Sequence, residues 1–304
     1  MLTFYQATTD VLKQTQQPDM AKSTLIYGEH LSQLEAKKLA ADFDLPHHLL
    51  TDVFDANELP RVEVVGGTTY VFARTPELHG AKIMSWPVLF IAGKSLFACV
   101  SSRTNLPDAL TKPAPELAKI VPGKLLIASL LEIVKRYEAF IDIIGNRIEK
   151  TEKLMRSREA TNNDFYGFVT IEGNLNRCKM SLGGMLVAAE KLFASATTNA
   201  DRELIDDIQL FIKQLLVEID SHAHAIDSID RSYGTVANNT LNQRMRILTV
   251  LTLLVALPNV FFGMYGMNIA LPFMHEEWAY FGVVGFSVLL VFAVYYLARK
   301  VKLL

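Results

Sequence analysis

The sequence predicts an α+β domain followed by long stalk helices and then by two transmembrane helices at the C-terminal end. Three observations carry that reading. Charge nearly vanishes from the end of the chain: of 62 Asp, Glu, Lys and Arg residues, 57 lie in positions 1–246, and only Glu276 and Glu277 fall between Ile247 and Ala298. Short β-branched and aromatic runs between glycine turns fill much of residues 1–122. From Pro122-Gly123 onward the apolar residues recur at helical spacing instead.

In the first part, RVEVV (61–65), TTYVFA (68–73), PVLFIA (87–92) and SLFACV (95–100) read as strands. Gly66-Gly67 and Gly93-Lys94 mark the turns, a spacing that suits antiparallel hairpins. Ahead of them, SQLEAKKLAADF (32–43) and LPHHLLTDVFDANEL (45–59) have helical spacing, with Ser32 and Glu35 set as a capping box. A first long helix over 124–158 carries Leu126, Leu130, Ile133, Val134, Tyr137, Ile141, Ile144 and Ile148 on one stripe. A second over 164–194 carries Phe165, Phe168, Ile171, Leu175, Leu182 and Leu186. The third is capped by Asn199-Ala200-Asp201 and carries Leu204, Ile208, Phe211, Leu215, Ile219, Ile226, Ile229 and Tyr233. No proline interrupts it before Pro258, so it runs into the first span and measures about 100 Å from residue 201 to residue 267. Such a length exceeds one compact domain and predicts a stalk packed against copies of itself.

Residues 247–267 and 279–298 are free of charge over 21 and 20 residues, and each covers about 30 Å as a helix, the depth of a bilayer's hydrocarbon core. The alternative is a pair of buried core helices, but soluble cores rarely need uncharged runs of this length. Arg244 and Arg246 precede the first span, Arg299, Lys300 and Lys302 follow the second, and the loop 268–278 has no Lys or Arg. The positive-inside rule then places both termini in the cytoplasm and the loop outside, as in a multi-pass protein of the cell (inner or plasma) membrane. The expected organisation is an α/β domain over 1–122, stalk helices over 123–246, two spans with their loop, and a basic tail over 299–304. The N-terminal stretch lacks both the apolar core of a signal peptide and the arginines of a transit peptide, so residues 1–246 are expected to stay cytoplasmic.

Composition excludes several functions. A net charge of −2 argues against a nucleic-acid partner held by phosphate contacts. Cys99 and Cys178 have no CxxC companion, which leaves neither a zinc ribbon nor a redox motif. There is no P-loop, nucleophile elbow or HExxH, so an enzyme is not expected.

One face of the first span is small or polar: Asn242, Met245, Thr249, Thr252, Ala256, Asn259 and Gly263 follow one another at steps of three or four. Polar side chains inside a bilayer turn toward protein or water. That leaves two readings: close helix packing through small residues, or the wall of a pore completed by further copies of the chain.

The loop opens with Tyr265-Gly266-Met267-Asn268, and Gly-Met-Asn closing the first of two C-terminal spans resembles the signature of the CorA-type divalent-cation (magnesium) channels. Asn238-Asn239-Thr240, Met245, Leu248-Thr249 and Pro258 are spaced as in that family. The basic end KVKLL and the stretch LPHHLLTDVFDANELPRVEV (45–64) are similar as well. The resemblance implies a CorA-like homopentameric funnel in the lipid bilayer, with Mg²⁺ both transported and regulatory. It implies a selectivity filter at Gly266, Met267 and Asn268, a hydrophobic constriction at Met245 and Leu248, and a path along Asn242, Ala256, Asn259 and Gly263. Leu248 stands one residue off the polar stripe. After Gly-Met-Asn this chain reads IALPFMHEEW, where the family often has a Met-Pro-Glu-Leu-type loop.

Chemistry supports a filter of neutral amides. Mg²⁺ dehydrates reluctantly, so a ring of Asn268 oxygens that accepts hydrogen bonds from its waters recognises the ion without stripping it. Glu276 and Glu277 either concentrate cations at the mouth or are ordinary solvated loop acids. The resemblance also implies closure by cytoplasmic Mg²⁺ held between subunits. Asp206 and Asp207 sit where the family carries an acidic pair, with Asp52, Asp55 and Glu58 as candidate partners; otherwise the pair is a solvated helix face. Asp220, His222, His224 and Asp227 offer ligands suited to Zn²⁺, Ni²⁺ or Co²⁺, but residues at i and i+2 point to different sides of a helix. His47-His48 and His275 offer less. Two rival functions stand beside Mg²⁺ influx: Zn²⁺, Co²⁺ or Ni²⁺ uptake, with proton coupling as in the ZntB branch, and a non-conducting membrane-anchored sensor or scaffold.

Overall fold

A computed structural model describes residues 2–8, 11–16, 18, 22–103, 106, 121–157, 162–196, 198–267, 276 and 278–300. The chain divides into two compact units, 1–227 and 228–304.

The first unit is built on one seven-stranded sheet. Its strands are β1 (Leu2–Thr8), β2 (Val11–Thr15), β3 (Thr24–Gly28), β4 (Arg61–Val65), β5 (Thr68–His79), β6 (Lys82–Ala92) and β7 (Leu96–Val100). They lie in the order β2-β1-β3-β7-β6-β5-β4. β4 with β5 and β6 with β7 form the antiparallel hairpins that Gly66-Gly67 and Gly93-Lys94 predict, and β5 pairs with β6 across a further turn at Gly80. Gly66 and Gly67 both have positive φ, the conformation a tight hairpin turn demands. β3 pairs with β7 in parallel, a junction that local spacing does not disclose.

Between β3 and β4 lie α1 (Gln33–Asp42) and α2 (His47–Asp52). The capping box is present: the Glu35 amide donates to Ser32 Oγ at 3.2 Å, and the Ser32 amide donates to Glu35 Oε2 at 2.9 Å. Leu39, Leu49 and Leu50 cover one sheet face, packed with Ile26, Phe72, Leu89 and Val100. The helix expected over 45–59 stops at Asp52. Beyond it Asp55 Oδ1 takes the Asn57 amide at 2.9 Å, and the carbonyls of Ala56 and Glu58 accept from the Arg74 guanidinium at 2.9 and 2.7 Å. A side chain from β5 thus replaces the helical partners of that segment.

The long helices follow as α3 (Pro122–Ser157), α4 (Asn162–Ser195) and α5 (Asn199–Tyr265). α3 begins on a proline at its first position, where the missing N–H costs nothing. All eight residues of its expected stripe are buried. Tyr137 is fully enclosed and donates its hydroxyl to the Arg74 carbonyl at 3.0 Å, fastening α3 to β5. α4 is fastened by Asn174, whose Oδ1 accepts the Ile83 amide and whose Nδ2 donates to the Ala81 carbonyl, both at 2.9 Å. Gly184 lets α4 approach Pro60, since a Cβ there would come within 2.8 Å of the proline ring.

α5 differs from expectation in two details. Its cap is Thr198, one residue early: Thr198 Oγ1 accepts the Asp201 amide at 3.1 Å. Its buried stripe is Ile205, Ile208, Ile212, Leu215, Ile219 and Ile226, while Leu204 is exposed. Gln209 donates to the Ala189 carbonyl of α4 at 3.3 Å. The helix is continuous for 67 residues, with Pro258 inside it.

The second unit comprises the rest of α5 together with α6 (Trp278–Lys300). Both hold apolar windows long enough to cross a membrane, and only 6% and 11% of those windows are buried. Phe261 and Phe286 meet edge to face at 5.2 Å. Among the described residues of this unit, Val250, Ser287 and Ala298 are buried. α6 ends on Arg299 and Lys300, complementary to the negative end of its dipole.

Candidate functional site

The polar face of the first apolar span lies on one continuous helix, so its residues hold their relative positions by helix geometry alone. Asn242, Met245, Leu248, Thr249, Thr252, Ala256, Asn259 and Gly263 are all in α5 and all exposed. Leu248, Thr249, Thr252, Leu253 and Ala256 line an open groove of about 370 Å³. Leu248 shares this groove with the threonines although it stands one residue off the three-and-four pattern. Leu253 was not anticipated; its position one residue after Thr252 and four after Thr249 is the signal that could have found it.

The threonine hydroxyls are satisfied locally. Thr249 Oγ1 donates to the Met245 carbonyl at 2.8 Å, and Thr252 Oγ1 donates to the Leu248 carbonyl at 2.9 Å. Pro258 has no N–H, so the Leu254 carbonyl lacks its usual helical donor. At the far end the winding tightens and stops. The Gly266 amide donates to the carbonyls of Phe262 and Gly263 at 3.1 and 3.2 Å, and the Met267 amide donates to Met264 at 3.2 Å. Gly266 and Met267 are exposed just past this end. Asn268, His275 and Glu277 lie outside the described residues, while Glu276 is described and exposed.

Gly263 has nothing within 4 Å of the position a Cβ would take, and at Gly266 the nearest atoms are 3.5 Å away. Packing within the chain therefore does not require either glycine. A glycine inside a helix costs about 1 kcal/mol relative to alanine, and no described neighbour offsets that cost at Gly263.

The acidic candidates separate. Asp206 and Asp207 are exposed on α5. Asp52 and Glu58 are engaged by Arg61, whose guanidinium also binds Glu63 and lies 4.0 Å from the centre of the Phe72 ring. Asp55 is turned to the Asn57 amide. Among the described residues no group of three or more His, Cys, Asp or Glu side chains is arranged to hold a metal. The histidines part as their spacing requires: His222 packs on Gly145 of α3, His224 is exposed, and Asp220 pairs with Lys179 of α4 at 2.6 Å. Neither cysteine is a ligand candidate. Burial pushes the Cys178 thiol up to about 12 and the Cys99 thiol well above its ordinary value.

A sheet-based body, long helices, and two apolar spans of which the first displays a small and polar face define a membrane protein of the two-span type. Residues 28–300 match the model of the CorA-like Mg²⁺ transporter protein family, and the chain belongs to that family. It is 25% identical over 182 residues to the cobalt/magnesium transport protein CorA of Methanocaldococcus jannaschii, an alignment covering 59% of this chain and 57% of that protein. The chain spans about half the length of the curated relatives it matches. The complete structure of the CorA magnesium transporter from Methanocaldococcus jannaschii superposes with a TM-score of 0.87 at 19% identity, covering 99% of this chain and 98% of that one. The cytoplasmic domain of ZntB from Vibrio parahaemolyticus gives 0.62 at 10% identity, covering 78% and 98%. At these identities the likeness is one of fold.

Proposed function

We propose that the protein transports divalent cations across a membrane, Mg²⁺ foremost, as a homopentamer whose copies of α5 line the path. The observation that carries this reading is the exposed face from Asn242 to Gly263 on a helix otherwise fit for lipid. Polar groups and a cost-bearing glycine at such depth need protein or water beside them, and neighbouring copies around a wet path supply both. Membership in the family and the likeness of fold to CorA support it.

In this reading Gly266, Met267 and Asn268 form the filter, and the Asn268 amides accept hydrogen bonds from the waters of the ion. Asn242, Thr249, Thr252, Ala256, Asn259 and Gly263 border the path, and rings of Met245 and Leu248 close it by dewetting. Glu276 and Glu277 raise the cation concentration at the outer mouth. Both termini face the cytoplasm. With the interior negative, a divalent ion gains about 4.6 kcal/mol on entry per 100 mV, so transport needs no other fuel. Cytoplasmic Mg²⁺ at Asp206 and Asp207 bridges neighbouring copies and holds the path shut.

Uptake into proteoliposomes under an inside-negative potential tests the reading. The expected result is Mg²⁺ entry that Asn268→Ala lowers about tenfold or more. Zn²⁺ entry that follows a pH gradient would replace Mg²⁺ as the substrate. No entry of any divalent cation would reduce the chain to a membrane-anchored sensor or scaffold.

A further inference from the structure

Thr249 and Thr252 each commit their hydroxyl proton to the helix, at 2.8 Å to the Met245 carbonyl and 2.9 Å to the Leu248 carbonyl. A hydroxyl has one proton and two acceptor sites. With the proton held, each oxygen offers only lone pairs outward, and both residues line the groove between Leu248 and Ala256. A polar species that binds these two oxygens must therefore donate.

Water bound to a divalent cation does so, because its oxygen faces the metal and its protons face out. Water around an anion turns one of its two protons to the ion and has at most one left to donate.

The geometry points to Thr249 and Thr252 as an acceptor-only rung that takes the outward protons of water-coated cations and keeps one turn of the path wet between the apolar Leu248 and Leu253. This inference rests on the transport reading and assigns specificity to a step distinct from Asn268. Without the oxygens, the same turn would be lined by Leu248, Leu253 and two valines, a surface that sheds water.

Mg²⁺ uptake in proteoliposomes carrying the full chain decides it. Thr252→Val keeps the branched shape and removes the acceptor, and uptake should fall about tenfold or more, while Thr252→Ser should stay within about threefold of the parent. Thr252→Cys against Thr252→Ser exchanges one oxygen for a weakly accepting sulfur and keeps the proton donor, so it decides the matter if the valine variant fails to fold; the cysteine variant should lose uptake. Cysteine uptake equal to serine, or a folded Thr249→Val/Thr252→Val variant with parental uptake, would overturn the rung and leave the transport reading standing. A parent chain that carries no divalent cation would overturn both.

Discussion

Ser32 shows how a single side chain acts through a measurable equilibrium. Its backbone amide holds the Glu35 carboxyl below the usual carboxylate value of 4.5. A carboxyl whose folded pKa is depressed contributes stability above its unfolded pKa and loses it as pH falls through the folded value. Ser32→Ala should cost about 1 kcal/mol in a denaturant titration of the detergent-solubilised chain at neutral pH. Glu35→Gln should flatten the stability loss below pH 4.5 that the parent shows, and an unchanged acid limb would sink the assignment. This box was legible in the sequence because both partners lie within one turn. Arg74 was not legible, because its partners at Ala56 and Glu58 stand 18 and 16 residues away, and only the packed sheet brings them together.

At the level of elements, two glycines decide how closely the long helices approach their supports. A Cβ at Gly184 would press the Pro60 ring at 2.8 Å, and one at Gly145 would press the His222 ring at 2.9 Å. The proline ring cannot rotate away, so Gly184→Ala should destabilise by about 1–3 kcal/mol. Gly145→Ala should cost less, and His222→Ala in the same chain should recover most of the loss in a double-mutant cycle read by thermal melting. Additive losses would show that the two residues do not bear on each other. The stripe of α3 was readable by periodicity because one wide apolar face meets one surface. On α5 the spacing points to Leu204 where Ile205 is buried, since adjacent apolar residues both fit the pattern and only packing selects between them.

For the whole molecule the consequential feature is that Asp206 and the face from Asn242 to Gly263 belong to one unbroken helix. In the proposed regulation the charge event falls on Asp206 and Asp207. Asp206→Ala/Asp207→Ala should leave Mg²⁺ uptake intact and raise the internal Mg²⁺ needed for half inhibition about tenfold or more. Inhibition at the parental concentration would remove these two residues from the regulatory site. The same proteoliposomes at raised internal Mg²⁺ supply the measurement.

The near-neutral composition averaged two solvents. By itself the sequence marked the two apolar stretches fit for a bilayer, because charge cannot be hidden at bilayer depth, and it determined the helical phase of the polar face, because one helix carries it. The tertiary structure decided the rest: the parallel pairing of β3 with β7, the early end of α2, and the engagement of Asp52 and Glu58 by Arg61. Each of these depends on which group comes within hydrogen-bonding reach of another. Sequence spacing sets that within a turn, and packing sets it beyond.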